Sequence, residues 1–402
     1  MNTFSAFLEE QKNTHMTHLE DLVLYGGVDG TRQAIFALRD MRDMLAGHGG
    51  SVSVKWDGAP AVFAGQDPRD GKFFVAKKGI FNKNPKVYKT NADIDEDTKG
   101  DLNKKLKLAL KYLPSLGIKG VIQGDFLFDS SELKIKTIDG QKYVTFHPNT
   151  IVYAVPIKQA NDLRVSKIGI VWHTTYTGNS FETMRASFGV DVSKLKKSLS
   201  VWSQDAFLRD VTSATMTKKE TSDVNADLTS IGKLFRDISS TTLKALESDQ
   251  NLAQHIETFN NTFVRAGQTI GDSKKHADKL IDWIAAKYQK EIDARKTEKG
   301  KNTQQAKMDD LLSFFSDSNK ENLIKMFELQ KLIVTVKLKL LNRLNSLGTV
   351  DTFVKTKDGY KVTGAEGYVA IDKLSGNAVK LVDRMEFSYN NFSPNIVKGW
   401  QK

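Results

Sequence analysis

The sequence predicts an α+β protein in which a strand-rich unit is interrupted by a long helical segment. Short apolar runs of strand character fill residues 51–88 and 121–178. Over residues 181–348, apolar and charged positions instead alternate at the spacing of amphipathic helices, and strand patterns return beyond them. A unit that is interrupted and then resumed indicates an insertion. We therefore predict a core formed by residues 1–180 and 349–402 around a helical insertion.

Composition limits the classes of function. The chain has 402 residues, of which 40% are hydrophobic and 27% charged, as in a folded protein with a substantial core. A net charge of +11 favours a polyanionic partner such as nucleic acid, although a lysine-rich surface can also serve solubility alone. The absence of cysteine excludes disulfides, thiol catalysis and Cys-ligated zinc. The N-terminal residues lack the pattern of a signal peptide, and no apolar run can span a bilayer. We expect a cytoplasmic protein with no membrane partner.

Periodicity predicts the elements in turn. An apolar stripe predicts a helix over residues 29–47, which Gly47 ends. Strands follow through residues 51–88, then a lysine-rich amphipathic helix over residues 100–117, then further strands to residue 178. The last helix of the insertion has the most continuous apolar stripe, which core packing explains: Leu323, Phe327, Ile333, Val336, Leu340, Leu344 and Leu347.

Several charged residues stand inside the predicted strands, where an unpaired buried charge is costly. They are Lys55, Lys77, Lys78, Asp125, Glu366 and Lys380. Each of them alone is most simply a snorkelling lysine or a solvent-facing acid. Together they predict convergence on one another or on a charged ligand. A triphosphate with a divalent metal suits them, because amines neutralise phosphate oxygens and carboxylates hold Mg²⁺.

In their order along the chain, these residues resemble the motifs of the covalent nucleotidyltransferase superfamily, which includes ATP-dependent DNA and RNA ligases and mRNA capping enzymes. The similar elements are Lys55-Trp56-Asp57-Gly58, "AKKGIF" at 76–81, Gly124-Asp125, "IVYAVPI" at 151–157, Glu366-Gly367-Tyr368-Val369 and Val379-Lys380-Leu381. The whole chain also resembles a group of uncharacterised ligase-like proteins of tailed phages, which would place it in the host cytoplasm.

The resemblance implies a fold and a reaction. The fold would be an antiparallel-sheet nucleotidyltransferase core, the ATP-grasp-like adenylation fold of ligases. Lys55 would attack the α-phosphate of ATP, which Lys380 contacts, and would carry AMP as a phosphoramidate. Glu366 and Asp125 would hold Mg²⁺ (or Mn²⁺). The residues implied around the nucleotide are Asp57, Gly58, Lys77, Lys78, Asp125, Tyr153 and Lys380. AMP would then pass to a 5′-phosphate of nucleic acid, and a 3′-hydroxyl would displace it.

The sequence departs from this superfamily at three places. Val382 stands where ligases carry a second lysine, with Arg384 as a substitute. Val155 stands where an aromatic residue often stacks on adenine, which leaves Tyr153 as the expected stacking residue. The residues after Lys380 are too few for the oligonucleotide-binding barrel of DNA ligases. We therefore expect the helical insertion to grip nucleic acid or a partner protein.

Three functions remain open at this point. The first is an ATP-dependent polynucleotide ligase, on RNA or DNA, or a related adenylyltransferase. The second is a phage structural or binding protein that keeps the nucleotidyltransferase core without turnover. The third is a GTP-dependent, capping-type guanylyltransferase.

Overall fold

The structure, a computed structural model, describes residues 17–48, 52–206, 215–315, 317–347, 350–371 and 378–401. The packing of the chain divides these residues into two compact units. The first, here called the helical unit, contains the described residues of 1–42, 217–340 and 377–381. The second, here called the sheet unit, contains those of 43–216, 341–376 and 382–402.

The helices are numbered in chain order. They are α1 (Leu22–Tyr25), α2 (Gly27–Asp43), α3 (Asn91–Asp97), α4 (Gly100–Tyr112), α5 (Asn161–Val165), α6 (Lys218–Asp237), α7 (Ser240–Ser248), α8 (Gln250–Arg265), α9 (Ser273–Asp293), α10 (Glu298–Phe314), α11 (Asp317–Asn345) and α12 (Arg384–Phe392). Shorter helical turns lie at Leu19–Asp21, Met44–His48, Lys78–Phe81, Leu113–Leu116, Ile157–Gln159 and Val192–Lys194.

The strands are numbered in the same way. They are β1 (Val52–Lys55), β2 (Ala61–Gln66), β3 (Phe73–Ala76), β4 (Val121–Asp129), β5 (Lys134–Ile138), β6 (Gln141–Phe146), β7 (Ile151–Pro156), β8 (Ile168–Thr177), β9 (Arg185–Phe188), β10 (Val201–Asp205), β11 (Asp351–Thr356), β12 (Gly359–Val362), β13 (Gly367–Ile371), β14 (Ala378–Leu381) and β15 (Ile396–Val397).

The sheet unit is built on two six-stranded sheets and a third pairing. The first sheet has the order β10-β8-β4-β2-β3, with β9 added to β8, and the second has the order β12-β11-β7-β6-β5, with β15 added to β11. Strand β1 pairs with β13. These pairings are antiparallel except for β10 with β8. The predicted α+β class with antiparallel sheets is confirmed.

Apolar side chains cover both faces of the first sheet. Helix α4 packs Leu106 and Ala109 against Ile122, Phe126 and Trp172 on one face. On the other face, a second cluster joins β4 and β8 to β6 and β7 of the second sheet. Burial of this apolar surface is the main stabilising term of the unit, and it fixes the strand ends that carry the predicted site residues.

The helical unit is an assembly of amphipathic helices. Thr217 and Glu220 form a capping box that begins α6, while Asp249 and Asp272 cap α8 and α9 with their side chains. In α11 six members of the predicted apolar stripe are buried: Leu323, Phe327, Ile333, Val336, Leu340 and Leu344. The seventh, Leu347, is half-buried and lies beyond Asn345, where the helix ends.

The predicted domain boundaries differ from the observed ones. Strands β9 and β10 lie inside the predicted insertion but pair with β8, so the helical segment begins at α6. These strands are short, and periodicity does not separate a short apolar run in a strand from one in a helix. Helices α1 and α2, predicted as part of the core, belong by their packing to the helical unit. Residues 1–16 of the predicted N-terminal part lie outside the described residues.

A buried histidine stands in the core of the helical unit. The His276 ring lies 4.6–4.8 Å from the rings of Phe259, Phe263 and Phe327. Its Nε2 lies 2.9 Å from Oδ1 of Asn260 and donates to it. Burial lowers the pKa of His276 from 6.5 to about 4. The neutral imidazole is therefore the form that the folded unit holds.

The lowered pKa of His276 predicts that acid destabilises the folded helical unit. Between about pH 6.5 and 4 the unfolded chain binds a proton at His276 that the folded unit does not, so the free energy of unfolding decreases as the pH falls through this window. The slope from one such group is at most about 1.4 kcal/mol per pH unit. Urea unfolding of the wild type and of His276→Gln at several pH values should show a shallower slope in the variant. An equal slope would mean that His276 is not the titrating group.

Candidate functional site

Lys55 and Glu366 meet where two paired strands end. Lys55 is the last residue of β1 and lies opposite Gly367, the first residue of β13. Glu366 directly precedes β13, and its carboxylate forms an ion pair with the Lys55 ammonium. The Lys55 side chain is 31% exposed and that of Glu366 is 11% exposed. Antiparallel pairing thus places an amine and a carboxylate together in a half-buried position.

Asp57 anchors the turn that follows Lys55. Its buried carboxylate accepts hydrogen bonds from Nδ2 of Asn149 at 2.6 Å and from the backbone N–H groups of Thr150 and Ile151 at 2.6 and 2.9 Å. Its own N–H donates to the Tyr153 hydroxyl at 2.6 Å. A carboxylate with three donors is already satisfied. Asp57 therefore holds the turn onto the start of β7, and the geometry does not support its predicted contact with the nucleotide.

Tyr153 is enclosed by other rings. Trp56 stacks on it at 4.7 Å between centroids, and Phe146 stacks on it at 5.3 Å. The residue is only 2% exposed, and burial raises the pKa of its hydroxyl well above the usual value. A nucleobase needs a free ring face for stacking. The geometry therefore opposes the predicted role of Tyr153 as the adenine-stacking residue, and its ring instead supports Trp56 beside Lys55.

Gly58 and Asp125 are in close contact. A Cβ atom on Gly58 would lie 2.6 Å from Cβ of Asp125, so only glycine fits against β4 here. The Asp125 carboxylate is 22% exposed and stands 3.7 Å from Nε2 of His173. His173 sits at an irregularity in the β4–β8 pairing. These partly exposed polar groups next to the Lys55 turn are suited to the hydroxyls of a sugar.

Lys77 and Lys78 lie at the end of β3 and point to different environments. The Lys77 ammonium is 2.8 Å from Asp97, which also binds Lys86 and the Tyr88 hydroxyl. Hydrogen bonds from Lys77, then Lys86 and Tyr88, hold the pKa of Asp97 well below its usual range. Lys78 is exposed. Of this predicted pair, only Lys78 presents its charge without a carboxylate partner among the described residues.

Lysines of two lysine-rich stretches, residues 83–90 and 104–112, are also neutralised. Lys89 binds Asp67 and Asp70, and in α4 Lys104 binds Asp129 while Lys107 binds Asp95. Paired ammonium groups contribute little to a phosphate-binding surface. The number of lysines in these two stretches therefore overstates the positive potential that they present to solvent.

Lys380 lies on β14, in the helical unit, where it forms a parallel bridge with His18. Its predicted contact with the α-phosphate stays a prediction.

Sequence reasoning missed the residues that hold the Lys55 turn and the start of β13, namely Asn149, Thr150, Thr363, Glu386, Asn390 and Lys398. Ordinary polar residues in loops carry no sequence signal for such a role.

Glu366 and Asp125 are the two carboxylates that were predicted to hold Mg²⁺. Within the described part of the chain, no three His, Asp or Glu side chains come together in a group that could hold a metal ion. Glu366 is engaged by Lys55, and Asp125 faces His173. Among the described residues, Glu366 and Asp125 therefore do not form the predicted protein-built metal site.

Among the described helices, none is both long and apolar enough to cross a membrane.

Comparison with known proteins gives a family but no activity. The chain belongs to a family of unknown function, DUF6267, whose model matches residues 13–396. No curated protein and no solved structure matches the chain.

Proposed function

We propose that this member of a family of unknown function is a covalent nucleotidyltransferase with an antiparallel-sheet adenylation core. It forms lysyl-AMP on Lys55 from Mg·ATP and transfers the AMP to a polynucleotide 5′-phosphate. The observation that carries the proposal is the Lys55–Glu366 pair at the joined ends of β1 and β13. The carboxylate orients Nζ of a partly buried lysine beside partly exposed polar groups, and this orientation supports the proposed role of Lys55 as the nucleophile.

The proposed reaction has two stages. In the first, the Lys55 ammonium gives up one proton to become the attacking amine and a second as the N–P bond to the α-phosphorus of ATP forms; the bond to the β-phosphate oxygen breaks, pyrophosphate leaves, and both protons pass to water or to the departing pyrophosphate. In the second, a 5′-phosphate oxygen attacks the same phosphorus and releases Lys55, and a 3′-hydroxyl then displaces AMP. The net charge of +11 supports a polyanionic second substrate.

The ion pair is the resting state of the nucleophile. In this pair Glu366 orients Nζ through a charge-assisted contact. An incoming triphosphate competes for the ammonium and repels the carboxylate, which opens the pair in the presence of substrate.

Labelled ATP tests this proposal directly. The protein is incubated with Mg²⁺ and ATP labelled at either the α- or the γ-phosphate, and then denatured. We expect label that survives denaturation from α-labelled ATP only, and we expect mass spectrometry to find one AMP on Lys55. Parallel incubation with GTP distinguishes the capping-type reaction. No retained label with either nucleotide would contradict the proposal.

A second candidate is a structural protein, or a nucleic-acid- or protein-binding protein, that keeps the nucleotidyltransferase core without turnover. The enclosure of Tyr153 favours it, because the face expected to stack on adenine is occupied by Trp56 and Phe146. Such a protein would keep no covalent label from either form of ATP. The same incubation therefore separates the two candidates.

A further inference from the structure

We infer that the C-terminal segment, residues 383–399, is a positioning element that braces both members of the Lys55–Glu366 pair. The brace, as this segment is called below, consists of α12, β15 and the residues that follow them. Its significance for catalysis rests on the proposed function, whereas its effect on the pair does not. Two sets of contacts and two further observations support it.

The first contacts hold the chain that leads into Glu366. Within the brace, Glu386 on α12 accepts hydrogen bonds from the Thr363 hydroxyl at 2.6 Å and from the Gly364 N–H at 3.1 Å. Asn390, one turn later on the same helix, donates to the Thr363 hydroxyl at 2.9 Å. Thr363 and Gly364 stand just before Glu366. One face of α12 therefore fixes where β13 begins.

The second contacts hold the residues that anchor the Lys55 turn. Nζ of Lys398 donates to the Thr150 hydroxyl at 3.1 Å, and this hydroxyl in turn donates to Oδ1 of Asn391 at 3.2 Å. The Gly399 N–H donates to the Asn149 carbonyl at 2.6 Å. Asn149 and Thr150 are two of the three residues that bind the Asp57 carboxylate.

The third observation is the fit of the brace around these contacts. The Lys398 ammonium donates to the Thr150 hydroxyl and to the Asn390 carbonyl, and burial lowers its pKa. A side chain on Gly399 would collide with the His147 carbonyl, so the segment approaches β6–β7 as closely as backbone allows. Strand β15 adds to β11 through Thr356 and Lys355.

The fourth observation is that the two sets of contacts meet. A single narrow cleft is lined by Asp57 and Thr150 from the Lys55 side, by Glu366, and by Glu386 and Asn390 from the brace. The brace thus contacts the residues that support Lys55 and also the residues that support Glu366. Because a misplacement of about 1 Å at a reacting group can cost a hundredfold in rate, such supports determine activity without contacting substrate.

The test uses Thr150, which connects the brace to the Lys55 turn. Its hydroxyl forms hydrogen bonds with Asn391 and Lys398 of the brace, and its backbone N–H donates to the Asp57 carboxylate. Thr150→Val removes the hydroxyl at nearly constant volume, and Thr150→Ser keeps it. Lys398→Met, which keeps the apolar stem without the ammonium, is a second variant in case Thr150→Val does not fold. Folding of each full-length variant is checked by circular dichroism and urea unfolding.

Two measurements are made on each variant. The first is the rate of reductive methylation of Lys55, relative to the exposed Lys136, followed by mass spectrometry. We expect a several-fold increase in Thr150→Val and Lys398→Met and a rate close to the wild type in Thr150→Ser. The second is the covalent ATP label, which should fall at least about tenfold in the first two variants.

The outcomes separate the brace from the proposed function. If folded Thr150→Val and Lys398→Met methylate Lys55 at the wild-type rate, the brace does not position the pair. If methylation of Lys136 rises as much as that of Lys55, the variants loosen the whole unit, and the inference is equally overturned. A selective rise at Lys55 in a protein that never labels with ATP would support the brace and contradict the nucleotidyltransferase.

Discussion

Replacing Lys55 with arginine is expected to abolish the covalent ATP label. Arginine keeps the positive charge and can still pair with Glu366, but its guanidinium does not deprotonate in proteins and so cannot attack phosphorus. Loss of a nucleophile typically costs at least about a thousandfold in rate. Label from α-labelled ATP, measured after denaturation, should therefore fall below detection while the far-ultraviolet circular dichroism stays that of the wild type.

A matched control makes this result specific. Lys136 is an exposed lysine on the edge strand β5, so Lys136→Arg should label at the wild-type rate. Noncovalent ATP binding by Lys55→Arg, measured by filter retention, should persist because the charge is kept. Undiminished covalent label in Lys55→Arg would show that another residue carries the nucleotide, and would remove Lys55 from the mechanism.

The charged residues inside the predicted strands were expected to converge on one another or on a charged ligand, and two of them, Lys55 and Glu366, form an ion pair. Lys55 ends β1 and Glu366 directly precedes β13, and strands whose ends carry opposite charges gain by pairing these ends together. The apolar stripe of α11 was equally readable, because most of its members follow one another at intervals of three or four residues. The catalytic roles of these charges stay predictions, since convergence alone does not show reactivity.

Tertiary partners explain what the sequence could not reveal. The Asp57 carboxylate is satisfied by Asn149, which is 92 residues away, and no local pattern connects the two. Lys77 looked like a phosphate-binding residue, yet Asp97 from α3 neutralises it. Tyr153 looked like a stacking residue by its position in the strand, yet two aromatic side chains from other elements cover its faces. In each case the burial or the net charge at the residue depends on side chains from other elements of the fold.

Replacing Glu366 with glutamine is expected to remove most of the label without unfolding the protein. Glutamine is nearly isosteric but carries no charge, so Nζ of Lys55 loses its oriented partner. Loss of one preorganised electrostatic contact at a reacting centre costs about a hundredfold to a thousandfold in rate. The free energy of unfolding should change by only about 1 kcal/mol or less, because Lys55 is partly exposed and water can replace the carboxylate.

The rate of label formation and the urea midpoint, measured on the same preparation, decide between a chemical and a structural role. Glu328→Gln is the matched control. Glu328 also forms an ion pair, with Lys331, but it belongs to the helical unit. It should label at the wild-type rate. If Glu366→Gln lowers the urea midpoint sharply, the carboxylate is a structural partner of Lys55. If Glu366→Gln is stable and labels normally, the ion pair is incidental to the chemistry, and the orientation of Nζ must come from the Asp57 turn alone.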